Sequence, residues 1–255
     1  MMRIAVVGAT GAIGARTVAA LQADKHDTVP IARSLGVDVL DRRGLTAALE
    51  GVDAVVDVTS TPAVDPAEAT QFFGSVTSNL LAAERDTGVR HHVALSIVGV
   101  DRVNGNGHYV GKRRQEELVA AGDVPWTIQR ATQFFDFPAM VAGWTTVDGV
   151  ATLPPLLIQP VSSDDVAARL AAIAVQSSLG LAPDFAGPVT HDFVDMARRT
   201  LRVRGDERAI RASWRDQPFG VEMAGEVMLA GPGAIIAPST FDDWLDAGAP
   251  ADKTH

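Results

Sequence analysis

The chain has no cysteine, which excludes disulfides, thiolate chemistry and cysteine-ligated zinc and fits a cytoplasmic protein. No apolar run approaches the roughly 20 residues that a membrane span needs. The apolar N-terminus, Met1 to Leu21, is interrupted by glycines and reads as part of the fold, not as a signal peptide. An excess of positive charge is also missing. A net charge of -9 counts against nucleic acid as a partner, because phosphate binding needs a positive face. The one arginine-rich tract, Ala197 to Arg211, is diluted by Asp206 and Glu207 and reads as solvated surface. His91 and His92 have no carboxylate or histidine at ligand spacing nearby, so they read as a loop pair and no metal site is expected. Aromatic residues make up only 5% of the chain, and Tyr109 is the single tyrosine.

What is present is enough apolar sequence, 47% of 255 residues, to bury a sizeable core. Hydrophobic periodicity predicts buried strands at Arg3 to Gly8, Thr28 to Arg33, Asp53 to Val58, His91 to Val98 and Pro125 to Arg130. Helices are expected over Ala12 to Ala23, Leu45 to Leu49, Pro66 to Arg85 and Tyr109 to Ala121. This alternation predicts an α/β fold, a Rossmann-type doubly wound parallel sheet with helices on both faces. After Phe137 the pattern loosens. A helix from Ser163 begins with Asp164 and Asp165 in its first turn, as a helix N-terminus prefers. Further helices are expected near Asp192 to Leu201 and Thr240 to Ala247, with a strand at Ala209 to Trp214. We divide the chain into a Rossmann body, residues 1–135, and a C-terminal substrate lobe, residues 136–255, packed on the body and interleaved with it. One stretch resists the pattern. Between the second strand and the apolar run Val37 to Leu40 only Ser34, Leu35 and Gly36 remain, too few for a crossover helix. That crossover therefore reads as missing, with Val37 to Leu40 either an irregular edge element or outside the sheet, and the adenine pocket beside it as open.

Gly8, Gly11 and Gly14 stand at G-x-x-G-x-x-G spacing after a strand and before a helix. The first permits a tight turn, the second a close approach of backbone amides to a pyrophosphate, and the third close packing of helix on strand. The helix N-terminus adds amide donors and partial positive charge. Dinucleotide binding is the function this turn predicts. Which dinucleotide depends on the end of the second strand, which offers Arg33 and no carboxylate. An arginine pairs with a 2′-phosphate, so the cofactor is expected to be NADP, with NADPH favoured over NADH. Asp41 reads either as a contact near the adenine amine or as a helix cap.

The tracts VVGATGAIG, LEGVDAVVDV and GVRHHVALSIVG, then Lys112 followed by RRQEELVAAGDVPWTIQRATQFF, resemble the atypical short-chain dehydrogenase/reductase group, specifically its NmrA-like NAD(P)H-binding members. The resemblance implies a cofactor laid across the strand ends and a substrate cleft between body and lobe. It implies cofactor contacts from Gly8, Thr10, Gly11, Ala12, Ile13 and Gly14, from Arg33 and Thr59, and from Ala131, Gln133 and Phe134 beside the nicotinamide. Ser96 matches the serine that hydrogen-bonds a substrate carbonyl, and Lys112 the lysine that holds the nicotinamide ribose. The family's catalytic tyrosine precedes this lysine by four residues. Here that position is His108.

A reductase needs a proton donor beside the carbonyl oxygen that receives charge. Three readings of Gly105 to Glu117 stand side by side. In one, Tyr109 takes the role, the helix start being shifted by Gly105 and Gly107 acting as hinges; in another His108 donates the proton. In the third His108 faces solvent, Tyr109 packs on the lobe, and neither acts. Phe134, Phe135 and Phe137 read as substrate pocket or as core. The expectation is an NAD(P)H-dependent oxidoreductase acting on a small carbonyl or quinone substrate, with Lys112, Ser96 and Tyr109 or His108 as its catalytic cluster and a homodimer compatible with the sequence. The alternative is a non-catalytic NAD(P)H-binding redox sensor that regulates a protein partner.

Overall fold

Strands buried on both faces read as near-continuous apolar runs, and the body of the chain supplies four such strands and a more exposed edge strand, the second in chain order. In the computed structural model, which describes residues 1–215 and 219–251, these are β1 (Arg3–Val7), β2 (Asp27–Ile31), β3 (Ala54–Asp57), β4 (His91–Ile97) and β5 (Trp126–Ala131). They are joined by α1 (Ala12–Ala23), α2 (Arg42–Ala48), α3 (Pro66–Thr87) and α4 (Gly107–Ala121). All pair in parallel in the order β2, β1, β3, β4, β5. The chain order reverses between β1 and β3, which creates the crevice at the carboxyl ends of the strands where such sheets take ligands.

Alternation along β1 sends Ile4 and Val6 to one face, against Leu21 of α1 and toward Val166 and Leu170, and sends Ala5 and Val7 to the other, against Leu45, Leu49, Val76 and Leu80. Helix α3 is delimited by its own sequence: the Asp65 carboxylate accepts from the amides of Ala67 and Glu68, Pro66 opens the first turn, and Gly88 closes the last in the left-handed region.

The chain beyond residue 135 returns to the body. It forms α5 (Phe137–Trp144), then α6 (Ser163–Ala174), which packs on α1, then α7 (Phe193–Val203) and α8 (Phe241–Asp246). Short strands Gly180–Leu181 and Phe185–Ala186 pair with β5, and Ile235–Ile236 extends the same sheet. A separate core fills the lobe. It contains Phe135, Phe193, Phe219, Met223, Met228 and Phe241, and α4 contributes Tyr109 to it. No helix among the described residues is long and apolar enough to cross a membrane.

Two sequence expectations are corrected here. The crossover between β2 and β3 is present, as the turn Arg33–Leu35 followed by the short α2. Val37 to Leu40 lies outside the sheet; Val37 and Val39 are apolar because they cover the Leu45 and Leu49 side of the core, and Asn79 Nδ2 holds the carbonyls of Val39 and Leu40 at 3.2 and 3.1 Å. His91 and His92 are not loop residues. Both are buried in β4, where His91 Nε2 lies 2.8 Å from Thr127 Oγ1 and His92 Nδ1 lies 2.7 Å from Glu84 Oε1.

Candidate cofactor and active site

The turn after β1 is shaped by its glycines. Gly8 has φ +85°, and its amide and that of Ala9 both donate to Ile31 O, at 2.9 and 3.2 Å. A Cβ on Gly14 would stand 2.1 Å from Gly8 O, so nothing larger than glycine lets α1 sit this close to the turn. Gly11 caps α1 without a side chain to occupy the amides of its first turn. Thr10, Gly11 and Ala12 reach the surface there, while Ile13 and Gly14 are buried beneath them. A phosphate fits this cradle, because an anion finds amide donors and the positive end of α1 with no Cβ in the way.

On one flank, Arg33 begins the turn after β2 and is exposed, with no ion pair among the described residues. Asp41 is the N-cap of α2, its carboxylate accepting from Arg43 N at 3.1 Å.

On the other flank are the ends of β3, β4 and β5. Asp57 pairs in register with Ala94, and Ser96 with Arg130. Thr59, two residues beyond Asp57, therefore stands level with Ser96. The hydroxyls of Thr59, Ser96 and Thr132 are buried and find no hydrogen-bond partner among the described residues. Gln133 follows; its buried amide lies near the Tyr109 phenol, but no hydrogen bond of good geometry forms. A buried polar group without a partner costs about 1–3 kcal/mol. Several at one sheet edge mark a place where a ligand completes the hydrogen bonding. Ala131 ends β5 beneath them, and Phe134, half-buried, bridges to Val161.

Helix α4 places the three residues in question in three different settings. Lys112 is 4% exposed and turned inward: Nζ donates to Thr59 O at 3.1 Å, to Leu95 O at 2.9 Å and to Gln115 Oε1 at 2.8 Å, and stands 4.7 Å from the centre of the Phe73 ring. Burial lowers its pKa to about 8, against the opposing pull of Asp57 and Glu116. His108 is half-buried rather than facing solvent, its ring edge-on to Phe73 at 5.6 Å. Burial and the Lys112 charge push its pKa down to about 4, so at neutral pH it carries no imidazolium proton to give. Tyr109 points into the lobe core, 5% exposed, with its hydroxyl directed at Met228 Sδ 3.5 Å away. Burial raises the phenol's pKa, only partly offset by Gln133 and Arg102; Lys112 is not among the groups acting on it. The α4 start itself is set by Asn106, which accepts from Tyr109 N at 3.3 Å. Gly107 serves close packing and not hinging, since a Cβ there would lie 2.4 Å from Val64 O.

Two residues that matter to this arrangement, Asp57 and Gln115, are not among those singled out from the sequence. Asp57 was signalled by a carboxylate inside an apolar run, which demands a partner. Gln115 was signalled by its position one turn after Lys112 on the same helix face. Thr132 lies within the tract from Ala131 to Phe134 that the family resemblance places beside the nicotinamide. Of the phenylalanines, Phe135 and Phe137 pack in the aromatic lobe core, against Phe241 and Trp244 and against Phe193 and Phe219 respectively. Among the described residues no cluster of histidines and carboxylates could hold a metal ion.

Comparison with known proteins agrees with this geometry. Residues 30–177 match a family model described as NAD(P)H-binding. A (4-alkanoyl-5-oxo-2,5-dihydrofuran-3-yl)methyl phosphate reductase from Streptomyces griseus is 31% identical, over 89% of this chain and 80% of its own. Among solved structures, a short-chain dehydrogenase/reductase superfamily protein from Agrobacterium tumefaciens with NAD bound superposes with a TM-score of 0.71 at 17% identity, covering 97% of this chain and 96% of that one. An NADPH-dependent quinone oxidoreductase from Escherichia coli, in complex with NADPH, gives a TM-score of 0.65 at 19% identity, covering 82% and 78%.

Proposed function

The chain belongs to the atypical short-chain dehydrogenase/reductase group, to its NmrA-like NAD(P)H-binding family, and from that premise we propose that it is an NADPH-dependent reductase of a small quinone or carbonyl compound. The observation that carries this reading is the set of buried, unpartnered hydroxyls of Thr59, Ser96 and Thr132 at the strand ends. They adjoin the glycine cradle, so one extended ligand can meet both.

In this reading Gly8 to Gly14 hold the pyrophosphate, Arg33 takes the 2′-phosphate, and the nicotinamide lies over the ends of β3 to β5, near Thr59, Ala131, Gln133 and Phe134. A bound nicotinamide supplies the hydride. Ser96 donates a hydrogen bond to the substrate oxygen on which charge develops. Lys112 places a positive charge just beneath the site. The substrate enters between the body, residues 1–135, and the lobe that follows. Neither Tyr109, whose hydroxyl is committed to the lobe core, nor neutral His108 suits the delivery of a proton, so the proton comes from water. This favours a quinone over an isolated aldehyde or ketone. The anion left by hydride addition to a quinone is delocalised and survives until water protonates it.

The same absence of a side-chain acid supports a second reading, a redox sensor that binds the nucleotide without turnover. Fluorescence titration with NADPH and NADH, followed by nicotinamide absorbance with a panel of quinones and aldehydes, separates the two. Tight NADPH binding with quinone turnover is expected; binding without any turnover would replace the reductase by the sensor, and no nucleotide binding would remove both.

A further inference from the structure

A lysine ammonium has three protons, and in this protein all three are given to the protein itself. Two of the acceptors are backbone carbonyls, of Thr59 after β3 and Leu95 in β4; the third is the side chain of Gln115. Gln115 is in turn held from the far side. Its Nε2 donates to Asp57 Oδ2 at 2.7 Å, and Asp57 Oδ1 accepts from Thr59 N at 2.9 Å. Only one orientation of the amide can face a cation with its oxygen and a carboxylate with its nitrogen, so the geometry of the chain Lys112, Gln115, Asp57 is unambiguous. Asp57 and Gln115 are fully buried.

We propose that Gln115, held by Asp57, is a positioning residue: it fixes the Lys112 ammonium between the ends of β3 and β4 and thereby sets how tightly the site binds a nicotinamide nucleotide. The proposal rests on reading this site as the nucleotide site. The groups that face Lys112 are Asp57 from β3, the Leu95 carbonyl from β4, the Phe73 ring from α3, and Glu116 and His108 from α4 itself. Burial works against the cation, and Asp57 and Glu116 oppose it. The nucleotide is an anion. Affinity should therefore follow the charge on Lys112, steady at neutral pH and falling as the ammonium deprotonates near its pKa of about 8.

The test is nucleotide binding, read by fluorescence from pH 7 to 9.5 with NADPH and NADH in parallel, so that titration of the nucleotide's own phosphate is told apart. Wild-type affinity is expected to fall with a midpoint near 8. Asp57→Asn, which keeps shape and removes charge, and Gln115→Leu should both move the midpoint to lower pH and weaken binding about fivefold at pH 8. Lys112→Met should bind weakly and without pH dependence over this range. A midpoint that both variants leave in place, or that persists in Lys112→Met, overturns the proposal while leaving the nucleotide reading intact. No binding by the wild type overturns both. Should Gln115→Leu fail to fold, Asp57→Asn alone carries the comparison.

Discussion

The two ends of one sheet differ in how far they hold their buried polar side chains. At the amino end of β4, His92 meets Glu84 at 2.7 Å and His91 meets Thr127 at 2.8 Å, so each of these buried side chains is held by one partner, although the second ring nitrogen of each histidine and Glu84 Oε2 have none among the described residues. Four residues along the same strand from His92, the Ser96 hydroxyl has no partner at all among the described residues, and Thr59 and Thr132 on the neighbouring strand ends share its condition. Position on a strand does not explain this, since β5 carries Thr127 at the satisfied end and leads to Thr132 at the other. The side chains of the first end are anchored to one another by folding. The second is finished by something that binds. If so, replacing the buried polar side chains of the amino end should change stability and leave binding alone, and replacing the unpartnered hydroxyls of the carboxyl end should do the reverse.

The largest effect is expected from Glu84→Leu, which strands a fully buried histidine and should cost about 3–5 kcal/mol, measured by chemical denaturation. The pH dependence sharpens it. Burial lowers the His92 pKa, but the Glu84 charge and hydrogen bond, with Asp57, outweigh burial and leave it raised. A raised histidine contributes its stability fully below the unfolded value of about 6.5 and loses it as pH rises through the folded value. Wild type should thus be more stable at pH 6 than at pH 9 by a margin that Glu84→Leu erases; an unchanged margin would assign it to another group.

Next comes Gly14→Ala. Its methyl would lie 2.1 Å from Gly8 O, and overpacking of this kind costs about 1–3 kcal/mol. Since the displaced atoms are those of the cradle, NADPH affinity should fall roughly ten- to hundredfold in a titration. Arg33→Ala should weaken NADPH by about tenfold and leave NADH alone, as removal of an exposed phosphate contact would. Equal losses for both nucleotides would place Arg33 elsewhere. Ser96→Ala should be neutral or slightly stabilising, because it removes an unsatisfied buried hydroxyl, while lowering kcat/KM with a quinone about tenfold. The smallest change is expected from Tyr109→Phe. With a thioether as the only hydrogen-bond acceptor it meets among the described residues, the phenol's loss should move stability by under about 1 kcal/mol and turnover not at all; a large fall in kcat would return Tyr109 to the catalytic group.

How much of this was legible in the sequence depended on whether the cause was local. The strands β1 to β5 and helices α1, α3 and α4 follow from periods of two and 3.6 residues, and the cradle from three glycines placed between a strand and a helix. Val37 to Leu40 left two readings open, of which the one outside the sheet holds, because apolarity reports burial and not pairing. Spacing from Lys112 left both His108 and Tyr109 as candidates, yet which neighbour each would meet was decided elsewhere in the chain. Met228, on which the Tyr109 hydroxyl ends, is 119 residues away. Burial in β4 likewise turned His91 and His92 from surface residues into partners of Thr127 and Glu84. The Asp57 to Gln115 contact spans 58 residues, and only the buried charge hinted that some such partner existed.

Helix α4 enters both cores, with Lys112 tied to the strand ends of the body and Tyr109, three residues earlier, embedded among the aromatic side chains of the lobe. The two cores are therefore fastened to one rigid rod. Heat should melt them together in a single transition, and any ligand gripped at the strand ends should raise that one melting temperature by mass action, protecting the backbone amides of a lobe it never touches.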